Sequence, residues 1–222
     1  MQKSIVLVLR GGLGNQMFQY AFAKNLAITT NSKLIIDTKS GFYFDIYKRK
    51  YELNQFKIQE KKANLFYILT YNLFKIYFKI TNIKYKNKYI KTPVANFLYD
   101  TSNFFNENHI GINIKNFLWI EGYWQSYLYF NKNISVINEN FNFKYNFLIR
   151  SNSLKIATNM LNENSIAICL RFYEETSNPN EQSYTGKQKS FNDINNIINL
   201  ISNTIDKPKF YVFTLFKKKC YQ

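Results

Sequence analysis

The chain has 222 residues, 46% of them hydrophobic and 18% aromatic, with 30 Lys and Arg against 14 Asp and Glu for a formal charge of +16. That length holds one large domain or two modest ones with a buried core, and so much apolar content excludes disorder over most of the chain. Cys169 and Cys220, the only cysteines, exclude a disulfide scaffold and fit a reducing compartment.

A basic balance this strong raises nucleic acid or an anionic membrane as partner. The surplus is nearly all Lys, however, since Arg stands only at positions 10, 49, 150 and 171. Arg is the better reader of phosphates and base edges. The charge therefore reads as compositional drift alongside abundant Asn, Ile, Phe and Tyr, with no nucleic acid expected. The apolar run Ile5 to Leu9 leads straight into Arg10-Gly11-Gly12 without a small-residue cleavage site. No stretch reaches the roughly 18–20 apolar residues of a membrane span. A cytoplasmic protein is expected, soluble or peripheral on the inner face of the cell membrane.

Ser4 to Leu9 is a continuous β-branched run of strand length, the pattern of a strand covered on both faces. Glycines at 11, 12 and 14 follow, then apolar residues at helical spacing from Met17 to Ala27, then a second strand run, Lys33 to Asp37. Strand, glycine turn, helix and strand make a βαβ unit, so an α/β fold with a parallel sheet begins at residue 1. Asn64 to Ile80 reads as a helix with Leu65, Ile68, Leu69, Leu73, Ile76 and Ile80 on one side and a basic tail at Lys84, Lys86, Lys88 and Lys91. It is either an interfacial helix on anionic lipid or a core helix whose lysines face water. The wide apolar face favours the core helix. His109, the only histidine, sits in a polar loop and is given no role.

Phe117 to Ile120 reads as a short strand that opens into the loop Glu121-Gly-Tyr-Trp-Gln-Ser126. A helix is expected over 154–161. Ser165 to Arg171 is a second buried-strand run, Phe191 to Ile205 an amphipathic helix, and Pro208 to Thr214 another strand. A second α/β unit thus starts near residue 160.

Gly12-x-Gly14 between strand and helix lacks the third glycine of a dinucleotide fingerprint, since Met17 stands there, and no Gly-Lys-Ser/Thr phosphate loop is present. The glycines still permit close backbone approach to a ligand, and the helix start offers N–H groups to an anion, with Asn15 and Gln16 adding side-chain donors and acceptors. The plainer alternative is a tight turn with Asn15 as helix cap.

Leu9-Arg-Gly-Gly-Leu-Gly-Asn-Gln-Met-Phe-Gln-Tyr-Ala-Phe-Ala23 resembles the N-terminal signature of the bacterial α-1,2-fucosyltransferases, glycosyltransferase family eleven. Glu121-Gly-Tyr-Trp-Gln-Ser-Tyr-Leu-Tyr-Phe130 resembles that family's central segment. Ile166 to Glu175 falls where the family carries His-x-Arg-Arg-Gly-Asp at a strand end. Arg171 matches the first Arg there, while Cys169, Phe172, Tyr173 and Glu174 replace the His, second Arg, Gly and Asp. This is closer to a variant ending in Arg-x-Tyr-x-Glu.

The resemblance implies a GT-B-like fold of two Rossmann-like domains. The first, 1–160, is the acceptor-side domain with a helical, aromatic-rich insert; the second, 161–222, is a partial donor-binding domain. It implies inverting, metal-independent transfer of L-fucose from GDP-fucose, as donor substrate rather than cofactor, to a galactose-type hydroxyl of a surface glycan such as lipopolysaccharide. Arg171, Glu174 and Glu175 are the catalytic candidates. Arg10, Gly12, Gly14, Asn15, Gln16, Arg171 and Tyr173 are the donor-binding candidates, with no metal ligands. A guanidinium can hold a leaving diphosphate in a fork and stabilise its developing charge, and no Asp-x-Asp motif appears. A carboxylate must take the acceptor's proton, for which Glu174, Glu175 and Asp37 are available. The family's last segment, a Ser-rich run and a Trp pair, has no counterpart, so a truncated product is expected, either active or an inactive remnant. A basic glycan- or membrane-binding module is the remaining alternative.

Overall fold

The computed structural model describes residues 2–92, 95–102, 104–114, 116–144, 151–169 and 191–213. The chain divides into two compact units, Met1–Tyr145 and Asn146–Gln222. The division falls fifteen residues before the one read from the sequence, so the helix at 151–162 belongs with the second unit.

The first unit is built on a six-stranded sheet. In chain order its elements are β1 (Ser4–Val8), α1 (Leu13–Thr29), β2 (Lys33–Asp37), β3 (Lys61–Lys62), α2 (Leu65–Ile80), β4 (Lys88–Lys91), β5 (Asn96–Asp100), β6 (Phe117–Gly122) and α3 (Ile134–Asn140). The strand order is β3-β2-β1-β6-β5-β4, parallel throughout except that β4 runs antiparallel to β5. This is a Rossmann-like α/β sheet, as the opening βαβ pattern predicts.

Successive strand residues point to opposite faces. Ile5, Leu7, Leu34, Ile36, Leu118 and Ile120 therefore pack with Tyr20, Phe22 and Leu26 of α1 on one face, together with Trp124 and Tyr129. Val6, Val8, Ile35, Phe97 and Trp119 pack with Tyr71 and Phe78 of α2 on the other. A sheet covered on both faces needs apolar residues at every position, which is why β1 and β6 appear as unbroken runs.

Helix α2 forms where its periodicity predicts, with the Asn64 side chain accepting from the Tyr67 N–H at its start. It presents the opposite face to the core. Ile68, Tyr71 and Phe78 are buried and Phe74 packs against Trp119, while Leu65, Leu69, Leu73, Ile76 and Ile80 stand 52–74% exposed. Nor do its lysines all face water: Lys75 is partly buried and ion-paired to Glu121 at 2.9 Å. The aromatic side wins because its larger rings reach the rings of Phe97 and Trp119, and because Glu121 waits beneath Lys75.

The second unit holds α4 (Ser151–Asn162), β7 (Ser165–Cys169), α5 (Phe191–Thr204) and β8 (Lys209–Phe213). β7 and β8 are parallel neighbours, so this is again a strand–helix–strand arrangement.

Candidate functional site

The parallel strands β1, β2, β5 and β6 all end on one side of the first unit's sheet, and that edge gathers the polar residues. Ligands of open α/β sheets lie at such carboxyl edges. From β1 comes Arg10 and then Gly11, whose φ of +76° suits glycine; a Cβ there would also meet Asn15 Nδ2 at 2.7 Å. Helix α1 begins inside the glycine loop at Leu13, four residues before the expected start, with Gly12 as N-cap. Asn15 is therefore in the first turn and is not the cap. Its Oδ1 accepts from Gln125 Nε2 at 2.6 Å. Gly14 is exposed with open space around it, so the first N–H groups of a 17-residue helix lie in an accessible loop.

Two glutamines fix this loop from behind. Gln19 clamps the Arg10 backbone reciprocally: Arg10 N donates to its Oε1 at 3.0 Å and its Nε2 donates to Arg10 O at 2.9 Å. Gln16 is fully buried, donates to Gly11 O and Lys50 O and accepts from Glu52 N, each at 2.9 Å. Expected at a donor, Gln16 is instead a positioning residue, its amide spent on tying the glycine loop to residues 50–52. Gln19 was not singled out by the sequence; its place three residues after Gln16 on the buried side of α1 is the signal that could have found it.

From β6 comes Glu121, 4% exposed. Its Oε1 accepts from Arg10 Nη1 at 3.0 Å, and its Oε2 accepts from Tyr71 OH at 2.8 Å and from Lys75 Nζ at 2.9 Å. One carboxylate thus serves two cations. Burial opposes both positive charges, yet both pKa values end above their ordinary range: Tyr123 and Glu121 raise that of Arg10, and Glu121 raises that of Lys75. Burial and then Glu121 push the Tyr71 phenol up as well. A cavity of about 510 Å³ opens over this group, lined also by Ser40, Tyr43, Asp45, Tyr47, Arg49, Asn72 and Tyr123. Arg49 lies with its guanidinium 3.9 Å from the Tyr47 ring centre. With Arg10, Arg49 and Lys75 against Asp45 and Glu121, the cavity's lining carries a positive balance suited to an anionic or hydroxyl-rich ligand.

Arg10 pairs with Glu121 and Asn15 with Gln125, so the two segments that resemble the fucosyltransferase signature are physically joined. Parallel pairing of β1 with β6, Leu7 opposite Ile120, brings them together across more than a hundred residues of sequence. The turn between them is tightly specified. A Cβ on Gly122 would stand 1.9 Å from Asp100 O, and Trp124 adopts a left-handed φ of 44° while stacked on Phe22 at 4.4 Å. Asp37, a candidate base, is fully buried. Its oxygens accept from the Lys39 and Ser40 N–H groups and from the Ser40 hydroxyl, so it holds the turn after β2. Arg171, Tyr173, Glu174 and Glu175 lie outside the described residues; β7, which precedes them, ends at exposed Cys169.

His109 is not in an open polar loop. It is 6% exposed, with Nδ1 3.1 Å from Asp100 Oδ2 and 3.4 Å from Trp124 Nε1. One nitrogen serves one of these, and the shorter contact assigns its proton to Asp100. Burial pushes the Asp100 carboxyl up, but hydrogen bonds from His109 and Ser102 outweigh it and hold its pKa below the usual range. A depressed folded pKa gives stability that is present above the unfolded value, near pH 4, and is lost as pH falls through the folded value. The part of the stability difference between the wild-type chain and Asp100→Asn that comes from this carboxylate is therefore present above about pH 4 and shrinks as pH falls below it. Urea titrations across that range check it, and a difference that does not change with pH rules it out.

No family model matches the chain, and no curated protein matches it. Among solved structures, the fold is similar to that of Arabidopsis thaliana FUT1, a plant fucosyltransferase, in an arginine-to-lysine mutant bound to GDP. The TM-score is 0.56 at 11% sequence identity, over all of this chain and 55% of the plant protein's. The chain thus spans about half the length of that relative in fold. What this likeness establishes is the fold, a Rossmann-like α/β architecture similar to part of the plant protein's.

Proposed function

We propose that this chain is the acceptor-side domain and the start of the donor domain of a glycosyltransferase that moves L-fucose from GDP-fucose to a galactose-type hydroxyl of a glycan. The observation that carries this reading is the junction of Arg10 and Asn15 with Glu121 and Gln125, two separately recognisable motifs meeting at the carboxyl edge of a parallel sheet. The GDP-bound fold relative supports it.

In this reading Arg171 grips two diphosphate oxygens of the leaving GDP and stabilises the negative charge that develops as the sugar–phosphate bond breaks. Within the first unit the N–H groups of Gly12 to Asn15 offer a positive helix-dipole end to an anion, and Tyr173 is a further candidate for donor contact. Glu174 or Glu175 takes the proton of the attacking hydroxyl, and attack from the face opposite the leaving group inverts the anomeric carbon. Arg10, held by Glu121, keeps the glycine loop in register.

Isothermal titration with GDP, with UDP as control, tests the nucleotide part. Binding of GDP that weakens by roughly tenfold or more in Arg171→Ala is expected, the loss of a charge-assisted bidentate contact. Equal heats for UDP and GDP, or an Arg171→Ala chain that binds like wild type, overturn the reading.

A further inference from the structure

The exposed face of α2 is a feature of the first unit that the proposed chemistry does not use. Leu65, Phe66, Leu69, Leu73, Ile76 and Ile80 all stand more than half exposed. At 3.6 residues per turn they fall within roughly 100° of the helix circumference, a single continuous stripe. Lys79 and Asn72 border it on one side and Thr70 on the other. The opposite face is the one that packs on Phe97 and Trp119, so the helix is anchored whatever covers the stripe.

The segment that carries it has charge of one sign. From Lys61 to Tyr99 the sequence holds eight lysines and no Asp or Glu. Lys75 is committed to Glu121; the other seven are exposed. Lys61 and Lys62 precede the stripe, Lys79 flanks it, and Lys84, Lys86, Lys88 and Lys91 follow it. Exposed Phe44, on the loop that lines the cavity with Tyr71 and Asn72, adds another apolar side chain in the same unit.

We infer that this stripe is a membrane-docking surface and that α2 lies in the headgroup region of an anionic bilayer, with Leu and Ile side chains in the acyl boundary and lysines against lipid phosphates. An apolar stripe with lysines before, beside and after it, in a segment free of Asp and Glu, is the pattern of an interfacial helix. A second copy of the chain is a poor occupant, because face-to-face packing would oppose two clusters of seven lysines. The helix lies on the bilayer and does not cross it: among the described residues no helix is long and apolar enough to span one. This inference stands apart from the glycosyltransferase reading and does not depend on it.

The test is co-sedimentation of the full chain with vesicles of pure phosphatidylcholine or of phosphatidylcholine containing about one third phosphatidylglycerol, at two salt concentrations. Binding to the anionic vesicles that weakens with salt is expected, with little binding to the neutral ones. The triple variant Leu69→Ser, Leu73→Ser, Ile76→Ser, which changes only exposed side chains, lowers partitioning by at least roughly tenfold. Lys84→Gln with Lys86→Gln lowers it by roughly fivefold per lysine. Fluorescence from Trp119 and Trp124, both buried in the first unit, checks that each variant is folded. The proposal is overturned if anionic vesicles fail to retain the wild-type chain or if the folded triple-Ser variant binds as well. It is also overturned if sedimentation velocity finds a dimer that this variant splits while vesicles go unbound.

Discussion

Replacing Glu121 by Gln destabilises the first unit by about 3 kcal/mol, towards the lower end of the cost of removing one partner from a buried ion pair because Arg10 and Lys75 keep some contact with water. Three donors converge on this carboxylate: Arg10, just after β1, and Tyr71 and Lys75 of α2. A neutral amide withdraws the charge that offsets the burial of two cations and turns its own N–H groups towards one of those donors. Both tryptophans of the chain lie in the first unit, so their fluorescence follows its unfolding in urea separately from the second unit. In a double-mutant cycle, Lys75→Met should remove part of the penalty of Glu121→Gln, leaving a coupling of about 1–2 kcal/mol. A Glu121→Gln midpoint equal to that of wild type, or additive single effects, would show that the cluster is not the electrostatic centre of this edge.

Trp124→Ala is expected to cost about 4 kcal/mol, through loss of a nearly fully buried indole that stacks on Phe22 and closes the core between α1 and the β6 turn. The backbone adds a sharper expectation. Trp124 sits at a positive φ, a conformation that costs a non-glycine residue on the order of 1 kcal/mol and that glycine adopts freely. Trp124→Gly should therefore be more stable than Trp124→Ala, by about 1 kcal/mol, the reverse of the usual order. The same urea titration, read by Trp119 alone, ranks the two variants. If alanine proves the better substitute, the left-handed turn after Gly122 is not a constraint on the folded state. The turn matters to the site because Glu121 and Gln125 flank it, and each holds one residue of the glycine-loop segment.

Much of this edge was legible before the fold was known. The continuous apolar run of β1 announced a strand buried on both faces, β2 and β6 read as strands, and strand, glycine turn, helix and strand announced a parallel crossover. The two motifs later joined by Arg10–Glu121 and Asn15–Gln125 were both visible, though nothing in their spacing said that they touch. β4 and β5 were missed because a four-residue, lysine-ended edge strand has no periodicity to show, and β5 pairs through main-chain groups that every residue carries. Arg49 and Lys75 were missed as cavity residues for a related reason: each is an unremarkable basic residue in a basic sequence until its neighbours are known.

Helix α2 shows where the division lies. Its sequence fixes a helix over 65–80, through apolar spacing and an Asn cap, and that much is local chemistry. Nearly every position is apolar, with Leu and Ile on one side and Tyr and Phe on the other, so periodicity alone cannot choose the buried face. The tertiary structure chooses it, because rings from Phe97 and Trp119 on the sheet and the Glu121 carboxylate beneath it match only the aromatic side and Lys75. Local spacing thus determined β1, β2, β6, the long helices and the two recognisable motifs. Which face meets the core, which amides are spent on the loop and which charges share one carboxylate depend on contacts made across many tens of residues, and only the folded chain decides them.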